Sequence, residues 1–281
     1  MKRFGLMILV CAIPFLGGCS SVTMPVYEDA DKYVVGNKTY EESITSLDID
    51  WISGSLALKE DTSITGAVIT ENSENLLDPA KVHSYYNNGD LKIKFFESGY
   101  SSRIDVNDKQ LILTYNPTYL KSIKIDLTSG KLTASNLSSL ETIDIQFTSG
   151  SSNIGKISTL NANVSFTSGG FDCDEINAKT MNVKMTSGNF FAGEISANID
   201  LNATSGTVVT QFDYTEQSKF NLTSGDLRIK IPEAGGSLKI EKTSGYVNIG
   251  PKYVISDDRY LIGDGVAKID VKITSGSVRV N

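Results

Sequence analysis

The chain has 281 residues, 40% of them hydrophobic and 21% charged, a balance that excludes wholesale disorder and leaves room for one large domain or two small ones. Its formal net charge of −7 argues against nucleic acid as a partner, because phosphate binding requires a basic surface. A single histidine excludes a multi-histidine metal site and a histidine-based catalytic triad.

The first residues read as a targeting segment. Lys2 and Arg3 precede an apolar run of 12 residues, Gly5 to Leu16, too short to span a bilayer but suited to a signal peptide. The run ends in Leu16-Gly17-Gly18-Cys19, which resembles the lipobox of bacterial lipoproteins. That resemblance implies signal cleavage between Gly18 and Cys19 and lipid on Cys19, with several acyl chains giving stable anchoring. Residues 1–18 are then the signal peptide, and 19–38 the lipidated cysteine and a tether, polar and unpatterned from Ser20 to about Lys32. The expected location is the extracytoplasmic face of a bacterial envelope, with the membrane as one partner through Cys19. Cleavage removes Lys2 and Arg3 and takes the charge from −7 to −9.

Residues 39–120 read as degenerate β rungs. Leu47-Asp48-Ile49-Asp50-Trp51-Ile52-Ser53-Gly54 followed by Leu56 and Leu58 gives a strand, a Ser-Gly turn and a second strand. Leu91-Lys92-Ile93 and Leu111-Ile112-Leu113 are further strands, and Asn87-Asn88-Gly89-Asp90 is a turn.

From 121 to 281 the sequence repeats itself. Thr-Ser-Gly occurs eight times, ending at Gly130, Gly150, Gly169, Gly188, Gly206, Gly225, Gly245 and Gly276, in steps of 20, 19, 19, 18, 19, 20 and 31. Seven, five and three residues before each glycine the side chain is mostly apolar, as in Ile143, Ile145 and Phe147, with polar residues between. That is the period of a strand with one buried face. After the glycine the apolar residues fall two and four positions on, as Phe171 and Cys173. The buried set moves by five across the glycine; a continuous strand requires an even number, so Thr-Ser-Gly is a corner. Glycine supplies the backbone freedom there, and the hydroxyls bond locally. Leu137, Ile157, Ile176 and Ile195, seven after the glycine, imply a third, shorter side. The expected fold is all-β, a single-stranded β-helix or β-roll solenoid with rungs of about 19 residues that share one continuous core. The long last step places an insertion within 251–267, and the final rung, ending at Val280, is expected to expose a strand edge unless the insertion caps it.

Eight Thr-Ser-Gly corners in register, preceded by residues 47–54, by Leu91-Lys92-Ile93 and by a strand from Leu111 to Tyr119 that contains Pro117, resemble the DUF4097 family of candidate adhesins of bacterial envelopes over roughly 39 to 281. The resemblance implies a β-helical or β-roll solenoid at the cell surface or in the envelope. It carries over no functional residue. The 31-residue last step departs from the family's regular pattern.

Candidate chemistry is sparse. His83, in the stretch Lys81-Val82-His83-Ser84-Tyr85, reads as a solvated histidine. Cys173 occupies an inward column beside Ala134, Ile154 and Ala192 and reads as core rather than nucleophile. Asp172, Asp174 and Glu175 could serve a polysaccharide-cleaving site, but a solvated face is the simpler reading. The corners offer hydroxyls where a calcium roll needs carboxylates, so no repeat-borne metal is expected. The Thr-Ser-Gly ladder could present a flat sugar- or ice-binding array, against a plain structural corner. Phe191 and Val209 share an outward column and point weakly to a contact site. The function expected is a non-catalytic surface binding or scaffold lipoprotein without cofactor, its ligand an unknown protein or glycan. The alternatives are a regulatory module contacting a membrane protein, and a polysaccharide-cleaving enzyme.

Overall fold

A computed structural model describes residues 22–72, 75–102, 109–232, 234–263 and 265–281; Gly18 and Cys19 lie outside the described residues. The fold is nearly all β, with two single-turn 3-10 segments, Ala30–Lys32 and Asp78–Ala80. Successive repeats lie parallel and in register. Ile123, Ile125 and Gly130 stand beside Ile143, Ile145 and Gly150, Met181 and Val183 beside Ile199 and Leu201, and Gly225 beside Gly276. The inward columns are buried as the alternation requires: Ile145, Val164 and Val183 are each 2% exposed or less. Each rung thereby contributes a few apolar side chains to a core that only stacking completes.

The corners set the register. Gly130, Gly169, Gly188, Gly206, Gly225, Gly245 and Gly276 all have φ between 108° and 130°, a region that favours glycine. They also stack on one another: a Cβ on Gly169 would lie 1.9 Å from the carbonyl oxygen of Gly150, and one on Gly206 2.1 Å from that of Gly188. Gly150 alone among the eight lacks a positive φ. The serines bind the ladder together. Ser129 donates its hydroxyl to the Ile52 carbonyl (3.1 Å), and Ser187 to that of Thr167 (3.2 Å).

Chain order and spatial order part company at both ends. The strand Ala267–Val280 pairs on one side with Gln217–Lys230 and on the other with Gly235–Lys242 and Tyr246–Ile249. Val280 is 1% exposed, so the open edge expected there is corrected. The end of the stack is the Gly245 rung, where Lys242 is exposed and Val247 and Ile249 are half-buried. The insertion forms a hairpin, Val254–Ser256 with Arg259–Gly263, whose second strand runs antiparallel along Gly235–Leu238 and covers half of that end. Among the described residues, Tyr246–Ile249 pairs only with Ala267–Val280.

At the other end, Ser46–Trp51 and Ser55–Glu60 flank Gly54 and lie parallel on the first regular rung, with Leu47 beside Ile123 and Leu56 beside Leu132. Asp90–Lys94 and Gln110–Tyr115 add one more parallel layer. Antiparallel strands then close the end. His83–Asn87 turns back onto Asp90–Lys94 through Asn88 and Gly89, both at positive φ, the geometry of a tight hairpin turn. Ala67–Glu71 runs against Gln110–Tyr115.

Two sequence expectations change here. Residues 22–33 are not a free tether. Val22–Thr23 pairs with Ser101–Ser102, Met24 donates its N–H to Tyr100 (2.9 Å) and is 4% exposed, and the Tyr27 hydroxyl reaches the Phe96 carbonyl (3.1 Å). His83 is not solvated; it is 4% exposed with Nδ1 3.0 Å from the Lys81 carbonyl oxygen. Burial holds its imidazole below the usual histidine range.

The closing layers meet on a buried charge. Lys109 Nζ lies 2.9 Å from Glu71 Oε1, with side chains 2% and 0% exposed. The ammonium also donates to the carbonyls of Ala80 (2.7 Å) and Phe95. It faces the Phe95, Phe96 and Trp51 rings at 4.2, 4.7 and 5.2 Å from their centroids. Glu71 in turn accepts the Val82 N–H at 3.0 Å. Burial lowers the Lys109 pKa to about 8 against the pull of Glu71.

Lys109→Met strands a carboxylate in this apolar cage and is expected to cost about 3–5 kcal/mol in denaturant unfolding, much of it recovered in the double variant with Glu71→Gln. Because Lys109 titrates near 8 when folded and near 10.4 when unfolded, the unfolded chain holds more protons between those values. Stability therefore rises with pH across the lower part of that window and is lost again as pH falls through 8, a dependence that Lys109→Met abolishes. The window is best read below pH 10 in a Cys173→Ala background, because burial raises both the Cys173 thiol and the Tyr27 phenol to about 12 and each gives up its proton first in the unfolded chain, which pulls the other way. At the corners, Gly169→Ala should destabilise by more than about 2 kcal/mol, and Gly150→Ala, without a positive φ, by about 1 kcal/mol.

Candidate functional site

Between the inward columns of the strand that precedes each corner lie two outward columns. One carries Lys124, Asp144, Asn163, Asn182 and Asp200; the other carries Asp126, Gln146, Ser165, Lys184 and Asn202. Because the rungs are in register, each column is a row of polar groups about 4.8 Å apart. The face they form is concave. A hollow of about 500 Å³ runs over these rungs, and two more, of about 400 and 420 Å³, share Asn202 with it and carry the trough on to Lys272 and Thr274.

The side chains bond to one another from rung to rung. Asn163 donates its amide to Asp144, Asn182 to Asn163 (2.9 Å) and Asn221 to Asn202 (3.1 Å). Within a rung, Asn202 donates to Asp200 (2.9 Å). Each amide fixes the next, so the surface presents carbonyl and carboxylate oxygens and lysine ammonium groups in set positions. This is a surface that can exchange hydrogen bonds with an extended polar ligand.

The trough ends in an acidic corner. The carboxylates of Asp48, Asp50 and Asp126 approach within 4.8 Å of one another, and their charge is met by lysines of the same face. Lys124 Nζ lies 2.5 Å from Asp126 and 3.6 Å from Asp48, and Lys94 pairs with Asp50. Burial raises the Asp126 carboxyl against the pull of Lys124. Burial alone would lower the Lys124 ammonium, but Asp126 and Asp48 together raise it. Three acids served by two ammonium groups leave the cluster one formal negative charge.

The residues singled out in the sequence lie elsewhere. The eight glycines form the corner ladder rather than a hollow. Asp172 and Asp174 are exposed on the strand after the corner. Glu175 is tied to Lys156 (2.8 Å) and Asn177 (2.7 Å), which lower its pKa. Cys173 is 1% exposed, and burial pushes its thiol up to about 12, as fits a core side chain. Phe191 is 39% exposed, and Val209 beside it is half-buried. Sequence reasoning recorded the alternating polar columns of the trough as the wet side of a strand. Their alternation of Asn with Asp and Lys was the available signal.

The family model described as Toastrack DUF4097 matches residues 44–281. No curated protein matches the sequence. Among solved structures, a candidate adhesin from Bacteroides fragilis is 13% identical with a TM-score of 0.46, covering 89% of this chain and 97% of its own. A candidate adhesin from Parabacteroides merdae is 14% identical, with a TM-score of 0.41 and coverages of 89% and 96%. A candidate lipid-binding protein from Parabacteroides distasonis is 14% identical, with a TM-score of 0.42 and coverages of 88% and 97%.

The burial of Cys173 is directly measurable. In native buffer its thiol should resist a maleimide or disulfide reagent for hours and react within minutes in denaturant; rapid native labelling would contradict a packed interior at that rung.

Proposed function

This chain belongs to the Toastrack DUF4097 family, and on that premise we propose that it is a non-catalytic binding or scaffold lipoprotein of the bacterial cell surface. We read its parallel ladder as a single-stranded solenoid with rungs of about 19 residues. The pairing of Ile123 with Ile143 and of Met181 with Ile199, 20 and 18 residues apart, supports that reading. The observation that carries the function is the trough, a face of linked amides, carboxylates and ammonium groups continuous over several rungs. Such a face is suited to holding an extended polar ligand.

Lipid on Cys19 orients the stack. Two residues, Ser20 and Ser21, separate Cys19 from Val22, which is hydrogen-bonded into the end that holds Lys109; three Cα–Cα steps reach at most about 11 Å. The Lys109 end is then held close to the bilayer and the Gly245 rung faces outward. Close apposition also suits a regulatory role through a membrane protein. The cluster of Asp48, Asp50 and Asp126 at one end of the trough favours cleavage of a polysaccharide as a second reading, with the raised Asp126 as proton donor.

Cys19→Ala should move the protein from the membrane fraction to the soluble fraction. Glycan arrays and envelope pull-downs with the full chain should return a ligand whose affinity falls at least 10-fold in the Lys184→Glu, Asn202→Asp double variant, since both side chains are exposed. Undiminished binding by that variant removes the trough as the site. Turnover of a bound glycan that disappears in Asp126→Asn establishes the second reading instead.

A further inference from the structure

On the strand after each corner, the residues three past the glycine point outward and align from rung to rung. In spatial order Asp172 stands beside Phe191, Phe191 beside Val209, Val209 beside Arg228, Arg228 beside Arg279, and Arg279 beside Asn248. Arg228 and Arg279 are both exposed, as is Lys230 two residues further along the same face. Adjacent strands lie about 4.8 Å apart, so two guanidinium groups share neighbouring positions, an arrangement that costs free energy by like-charge repulsion.

Among the described residues no carboxylate forms an ion pair with Arg228, Arg279 or Lys230. The acid two residues before Arg228, Asp226, accepts the Ser277 hydroxyl instead. The chain carries 33 acidic against 26 basic residues, which makes this cluster a local reversal of charge. Aromatic rings flank it: Phe191 is 39% exposed two rungs away, and Tyr246, beside Ser277, is 62% exposed.

We propose that this column binds an acidic polysaccharide, with carboxylate or sulfate groups held by Arg228 and Arg279 and a sugar ring packed on Phe191. A guanidinium matches a carboxylate with two parallel N–H donors. The C–H face of a pyranose is apolar and packs on an aromatic ring, burying area that water otherwise covers. The rungs offer one contact each along a line, which suits an extended polymer better than a compact anion. Asp172 closes the site beyond Phe191 by repelling further negative charge. A polyphosphate chain fits less well, because the overall negative charge opposes a ligand charged at every unit. The proposal shares with the previous one only a binding role for the stack; its site lies on the opposite side of the corner from the trough.

The test titrates the full chain in detergent with oligogalacturonate, dextran sulfate, neutral dextran and a single-stranded DNA oligonucleotide by calorimetry. Oligogalacturonate or dextran sulfate should bind with a salt-dependent Kd and neutral dextran should not. The Arg228→Gln, Arg279→Gln double variant should lose at least 10-fold in affinity with its Tm unchanged. Replacing both arginines by lysine should give an intermediate loss, because charge remains and the planar fork does not. Phe191→Ser should weaken binding several-fold at an unaltered salt slope. Equal binding by wild type and the double Gln variant overturns the proposal, as does binding of DNA in preference to the acidic glycans. A ligand held in the trough must not displace the acidic glycan, so that failure here and failure at the trough are told apart.

Discussion

The stack depends on one steric fact: at every Thr-Ser-Gly corner but that of Gly150, the backbone passes so close to the rung beneath that only a hydrogen atom fits at the Cα. The carbonyl of Gly150 stands where a Cβ of Gly169 would be, and the same holds for Gly188 beneath Gly206. Because each corner has one place to sit, the rungs cannot slide past each other, and register follows. Register in turn aligns the apolar columns into a core and the polar columns into rows. The core therefore needs no single large side chain. Neighbouring rungs meet the same volume with different residues, as where Phe171 stacks on Phe190 at 5.1 Å while Cys173 lies beside Ala192.

That regularity made the middle of the molecule legible. Period two before the glycine, an odd step across it and the recurring Thr-Ser-Gly were enough to place Ile145, Val164, Val183 and Cys173 inward, since burial in a repeat is decided locally. The ends were less legible because their contacts are not local. Lys109 meets Glu71 and the rings of Trp51, Phe95 and Phe96, residues scattered over four strands or loops with no common spacing. His83 sat among polar residues in sequence yet lies beneath an antiparallel layer that periodicity does not announce. One end signal was present and underused. Lys242 occupies a column in which the other seven copies are apolar, and a rung that tolerates an ammonium there has nothing stacked on its far side.

The two outward faces follow from the same constraint but differ in character. Before the corner, amides and charges are satisfied by one another, and the trough is preorganised by those bonds. After the corner, the column runs from an acid through an aromatic and an aliphatic residue to two arginines that form no ion pair among the described residues. A stack of this kind separates scaffold from recognition. Inward residues are held by packing and corner residues by sterics, while outward residues are free to differ from rung to rung at little cost to stability.

The inverted order of the last two layers constrains how the molecule is assembled. A chain made N-terminus first can lay down each layer from Ser122 as far as Lys230 on one already in place, the first of them on 46–60. The segment that comes next, 235–249, finds no seat, because the surface it will finally cover belongs to the closing 14 residues, Ala267–Val280. It has to wait, or dock and be displaced, until the whole polypeptide is present. Completion of the polypeptide and completion of the outermost layer are thereby coupled, and a truncated chain leaves the Gly245 end unfinished while the remainder of the stack is already formed.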